Sequence, residues 1–168
     1  MIMVVKKTTG WKVEGVDSKL NRLELALLSL KGKSHLPPAI LLASREAVSA
    51  IAEKDGSILG RFGTHPELPV QVSMQIVSEL ERWNRPVFLL NIAFSNTDER
   101  VCKAAFLAVE RLGASKLLEK AIIFHETGGT HPMSNFARSV LKRLRYTSPI
   151  IDETAGEIRE LAVAVEKP

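Results

Sequence analysis

The sequence predicts an α/β fold: a three-layer, open, mainly parallel sheet with helices on both faces. Two observations lead there. From residue 39 onward, short apolar runs alternate with stretches of three-and-four apolar spacing, in the order strand, helix, strand, helix. Residues 121–146 then hold the whole unit in compressed form, as the apolar run AIIFHE, the turn TGGTHP and the helix MSNFARSVLKRLRY. In that helix Met133, Phe136, Ala137, Val140, Leu141 and Leu144 make one apolar stripe, with Arg138, Lys142, Arg143 and Arg145 largely off it.

Taken in order, Ile2–Val5 and Trp11–Val16 read as two short strands around Thr9-Gly10. Asp17 or Ser18 caps a helix through Leu20, Leu23, Ala26, Leu27 and Leu30, closed by Gly32. The connector GKSHLPP divides an N-terminal appendage, residues 1–36, from an α/β domain over 37–168, the two packing as one globular unit. Ala39–Ala43 suits a buried strand, and Ser44 caps a short helix ended by Asp55-Gly56. Ser57–Phe62 is a weaker strand, followed by a helix over Pro69–Trp83 whose start is fixed by Pro69. Pro86 opens VFLLNIAF, the strongest strand signal in the chain. Asn96 with Glu99 forms a capping-box-like pair, Asp98 favours the positive end of the dipole, and the helix runs to Gly113. Ser148–Ile151 reads as an edge strand and Glu153–Val165 as a closing helix.

With 168 residues the chain suits a single domain with a real core, and 45% hydrophobic with 25% charged residues sets it apart from disordered and fibrous chains. No apolar run approaches the ~18 residues of a membrane span, and MIMVVKK reverses the order of a secretion signal. Cys102 is the single cysteine, which excludes an internal disulfide framework and points to the cytoplasm; beside Phe106 and Val109 it reads as packing. The net charge of +4 is unevenly placed: residues 1–36 hold seven Lys/Arg against three acids, the helix to Tyr146 is basic, and Asp152–Glu160 is acidic enough to lie against either patch.

In a parallel sheet the loops leaving the strand ends share one edge, the usual binding crevice. Four loops qualify, Ser44–Glu46, Arg61–Glu67, Ser95–Glu99 and His125–His131, and together they hold His65, His125 and His131 with Asp98, Glu126 and Arg61. Glu126, at a strand exit, is the best acid or base, with His131 and Asp98 as its companions. Arg61, Thr64, His65, Gly128, Gly129 and Thr130 are the residues expected to hold a ligand, since paired glycines allow close backbone approach to a phosphate. The tetrapeptide Gly-Thr-His-Pro occurs at 63–66 and again at 129–132, each time after an expected strand and before a helix, but the flanking sequences do not repeat, so no repeat architecture is expected. His125, Glu126, His131, His65 and Asp98 are competent metal ligands, but their spacing matches no standard zinc pattern, so no metal is expected and the cofactor is left open.

The general form resembles Rossmann-like and flavodoxin-like domains, but no phosphate-loop, dinucleotide or hydrolase motif carries an activity across. The expected function is therefore binding of a small phosphate-containing, nucleotide-like ligand at the C-terminal edge of the sheet, by a protein that is a hydrolase or transferase if it is an enzyme. A second expectation is nucleic-acid binding or processing through Arg138, Lys142, Arg143 and Arg145. A third is a non-catalytic homo-oligomeric or partner-binding module using Trp11, the N-terminal strands and the terminal helices.

Overall fold

The computed structural model describes residues 18–147, and every regular element among them is a helix. In chain order these are α1 (18–28), α2 (Pro38–Lys54), α3 (Gly56–Phe62), α4 (Val70–Arg82), α5 (Pro86–Ser95), α6 (Glu99–Arg111), α7 (Ser115–Glu126) and α8 (134–147). No strand occurs among the described residues. The three-layer parallel sheet, the Rossmann-like form and the sheet-edge crevice are thereby corrected. The expected strands at 2–5, 11–16 and 148–151 and the closing helix at 153–165 lie outside the described residues.

Each of the four expected strands within 18–147 is part of a helix, and in each case periodicity alone was ambiguous. Ala39–Ala43 is the first turn of α2, Ser57–Phe62 is α3, residues 86–94 are α5 and residues 121–125 end α7. A short apolar run has no polar face to reveal a period, so a buried helix and a buried strand look alike. In α5 Val87, Asn91 and Ser95 are exposed while Leu89 and Ala93 between them are buried, a pattern a helix produces and a strand's alternation does not; Val87 is apolar, which hides the period in the sequence. Pro86 stands in the first turn of α5 and Pro38 in that of α2, where a missing N–H costs nothing.

The amphipathic segments behave as their spacing requires. The helix expected over Pro69–Trp83 is α4, which buries Val72, Ile76, Val77 and Leu80. Asp98, rather than Asn96, caps α6 by accepting from the Arg100 amide. Asp55 both ends α2 and caps α3, accepting from the Ser57 amide at 2.9 Å.

The helices form two layers. α2, α4 and α6 lie side by side in one, α3, α5 and α7 in the other, and among α2–α7 every pair in contact is separated by one or two steps along the chain. α8 extends the first layer: Phe136 packs on Phe106 of α6 at 5.9 Å between ring centroids. First-layer helices begin at Pro38, Val70, Glu99 and residue 134 and second-layer helices at Gly56, Pro86 and Ser115, a period of about thirty residues. This is a stack of helical hairpins in which each hairpin buries its apolar faces against its neighbours. α5 is apolar nearly all round because α3, α4, α6 and α7 surround it.

Polar contacts repeat with the same period. Glu81 of α4 takes a two-point ion pair from Arg111 of α6 (2.6 and 2.8 Å), and Glu110 of α6 takes one from Arg143 of α8 (2.7 and 2.9 Å). Between α2 and α4, Ser44 donates to Gln75 Oε1 at 2.7 Å while Gln75 Nε2 donates to the Leu41 carbonyl at 2.9 Å.

Candidate interaction surface

Three of the four loops expected to share an edge do so, for a reason other than a sheet. Residues 63–69, 96–98 and 127–133 are successive turns from the second layer back to the first, and stacked hairpins place such turns in a row. His65 and Asp98 line one small cavity of about 170 Å³ with Asn96 between them. The fourth, Ser44–Glu46, lies inside α2.

In each turn the polar side chains hold the backbone together. Asn96 Oδ1 accepts from the Asp98 amide at 2.8 Å while its Nδ2 donates to the Gly63 carbonyl at 2.6 Å, at the end of α3. His131 repeats the arrangement one hairpin later. Its Nδ1 accepts from the Met133 amide at 3.1 Å, so Nε2 carries the proton and donates to the Phe94 carbonyl at 2.8 Å, near the end of α5. His65 Nδ1 accepts from the Glu67 amide at 3.4 Å, a longer version of the same turn. The repeated Gly-Thr-His-Pro thus marks equivalent turns, in which a ring nitrogen meets the amide two residues on.

The other expected catalytic groups are similarly engaged. Arg138 grips Glu126 at both oxygens (3.1 and 2.5 Å) and holds its carboxyl below the usual range, the opposite of what a general base needs. Asp98 is bound by the Arg100 side chain and backbone, and its carboxyl is lowered too. Gly128, Gly129 and Thr130 are exposed at the C-terminal end of α7, where a helix presents carbonyls and not amides to an anion. Gly129 is there for its φ of 127°, and its amide donates back to the Glu126 carbonyl at 3.1 Å. Thr64 donates to the Arg61 carbonyl at 2.7 Å, and Arg61 lies with His65 against Glu24 and Leu28 of α1. The expected phosphate-binding function had the sheet edge as its premise, and the all-helical architecture removes it. Cys102 is buried with its thiol directed at the Asn96 carbonyl, and burial raises its pKa, as packing requires. Among the described residues no three His, Cys, Asp or Glu side chains are grouped to hold a metal ion, and no helix is long and apolar enough to cross a membrane.

The basic face of α8 is largely balanced. Arg138 pairs with Glu126, Arg143 with Glu110 and Arg145 with Glu119. Lys142 takes part in none of the ion pairs among the described residues.

A different feature stands out at the C-terminal edge of the stack. α7 and α8 enclose an open groove of about 680 Å³. Ile122 and Leu141, both buried, form its floor, Ile123 (62% exposed) and Tyr146 (67% exposed) its walls, and Lys142 with the ion pairs Arg138–Glu126 and Arg145–Glu119 its polar rim. Beside it on α7, outside the groove lining, Phe124 is 72% exposed. Large apolar side chains left in water on a helix whose inner face is already packed mark a docking surface more often than a defect. The sequence concealed it, because Ile123 and Phe124 make 121–125 look like a buried strand. Comparison with protein families, curated proteins and solved structures finds no match for this chain.

Proposed function

We propose that this protein is an interaction module, a short stack of helical hairpins whose groove between α7 and α8 receives an amphipathic helix with an acidic polar face from a protein partner. The groove carries the reading: an apolar floor of Ile122 and Leu141, exposed Ile123 and Tyr146 beside it, and a cation, Lys142, that takes part in no ion pair among the described residues. Helix-in-groove recognition uses such a floor for affinity and a charged rim for orientation. The engagement of His131 in a turn, of Asp98 in a helix cap and of Glu126 in an ion pair supports an interaction role over catalysis at that edge.

The test is capture of partners by the full chain and by its Ile123→Asp, Tyr146→Asp variant. Both positions are exposed, so the fold survives, as circular dichroism will verify. Proteins retained by the wild type through a helical acidic segment and lost by the variant are expected; identical capture by both removes the groove from the function.

A further inference from the structure

From α4 to α8 every carboxylate is held in an ion pair, whereas Arg85, Lys116, Lys120 and Lys142 take part in none of the pairs among the described residues. Of these, Lys120 has an apolar setting. Glu119 and Glu126 reach arginines of α8 and so mark that side of α7. Leu117 and Phe124 each stand two residues before one of them, about 200° round the helix, and face away from α8. Lys120, three residues after Leu117 and four before Phe124, lies on the same stripe, and all three are exposed.

α5 runs beside that stripe, its register set by the stacking of Phe94 on His125. Two turns back from Phe94 and from Phe124 stand Val87 and Leu117, so the parallel helices hold these two exposed side chains at one level. Asn91 falls near the level of Lys120. Its carboxamide is exposed and makes none of the hydrogen bonds among the described residues. α5 has no charged residue, so no carboxylate of its own meets Lys120.

We infer that the outer face of α5 and α7 is a second docking surface, which takes an extended peptide segment carrying an acidic residue between two apolar ones, at every second position. It goes beyond the groove and uses none of the groove's lining residues. An extended chain sends every second side chain to the same face, about 6.8 Å apart, so both apolar groups and the carboxylate between them meet the protein together. Leu117, Lys120 and Phe124 present the matching order, spread over about 10 Å of α7. Asn91 selects the conformation. Its one carbonyl and one amide match the free N–H and C=O of an extended main chain, which the interior of a helix has already spent on itself. A nucleic-acid strand would call for a row of cations, whereas here Lys120 stands between two hydrophobic side chains.

A titration of the ¹⁵N-labelled full chain, followed by amide chemical shifts, tests this. The probe is a heptapeptide of serine and threonine with leucine, glutamate and leucine at every second position; a second peptide has lysine in place of the glutamate. Shifts on α5 and α7 around Asn91 and Lys120 are expected, with the glutamate peptide binding about fivefold more tightly than the lysine one. Lys120→Glu should reverse that preference, and Asn91→Leu should weaken both peptides. These positions are exposed, and circular dichroism verifies the fold of each variant. The Ile123→Asp, Tyr146→Asp variant should bind as the wild type does, which separates this face from the groove. No shifts at millimolar peptide, equal affinity for the two peptides, or binding unaffected by Asn91→Leu overturns the inference. Shifts centred on Ile123 and Tyr146 return the peptide to the groove and overturn it as well, as does tighter binding of an oligothymidylate, which would assign the face to phosphate.

Discussion

His131 shows how a residue with every mark of catalysis can be a fastener. It follows two glycines, precedes a helix and stands 5.9 Å from a second histidine, yet both ring nitrogens are spent on backbone groups, the Met133 amide and the Phe94 carbonyl. Removing the ring strands both, so His131→Ala is expected to lower stability by about 1–3 kcal/mol in chemical denaturation. Asn96 performs the same pair of bonds in the neighbouring turn, so His131→Asn should cost less than His131→Ala. His125 gives the pH dependence. It stacks on Phe94 with ring centroids 4.2 Å apart, and burial, then the nearby His131, lowers its pKa from 6.5. Between that lowered value and 6.5 the unfolded chain binds more protons than the folded one, so stability is complete above 6.5 and falls as the pH drops through this window. Melting temperature should therefore fall from about pH 7 to about pH 5 in the wild type, and the slope should flatten in His125→Phe. An unchanged slope would remove His125 from the pH response.

At the level of elements, the legible helices were those with one wet face. α4 and α6 show alternating polar and apolar sides because each lies at the surface of its layer, and their spans were readable to within a residue or two. α5 and the end of α7 were not, for opposite reasons. α5 is enclosed by four neighbours and needs apolar residues almost throughout, whereas α7 places Ile123 and Phe124 in water. Neither case leaves a polar stripe to count. Pro86 was the available signal, since proline favours a first helical turn at least as well as a strand start. The approach of α3 to α5 sets a further constraint. A Cβ on Gly63 would stand 2.3 Å from Ile92 Cδ1 and 2.6 Å from its Cγ1, and Ile92 is fully buried. Gly63→Ala should cost about 1–3 kcal/mol, and adding Ile92→Val, which deletes the nearer carbon, should recover part of it. Additive losses in the double variant would mean that the two helices do not meet there.

Across the whole molecule, the sequence contained the repeat but not in the form a repeat search finds. What recurs is a hairpin length of about thirty residues, an ion pair between successive first-layer helices and a side chain fastening each turn, and different residues fill those roles. Only Gly-Thr-His-Pro recurs literally, at two turns two hairpins apart. The expectation that distant turns line up along one edge came from parallel-sheet topology, and stacked hairpins produce the same row of turns. That coincidence is why residues 61–67, 95–99 and 125–131 looked like a crevice. The charge of α8 was legible too, but not its pairing, because Glu110, Glu119 and Glu126 reach it from helices earlier in the chain.

The most direct test of the helical stack is the set of ¹³Cα chemical shifts over residues 86–95 and 121–126 of the full chain in solution. Here sequence pattern and architecture part company. Downfield shifts throughout both segments are expected from α5 and α7; upfield shifts, as in extended strands, would contradict the hairpin stack and the groove built on it.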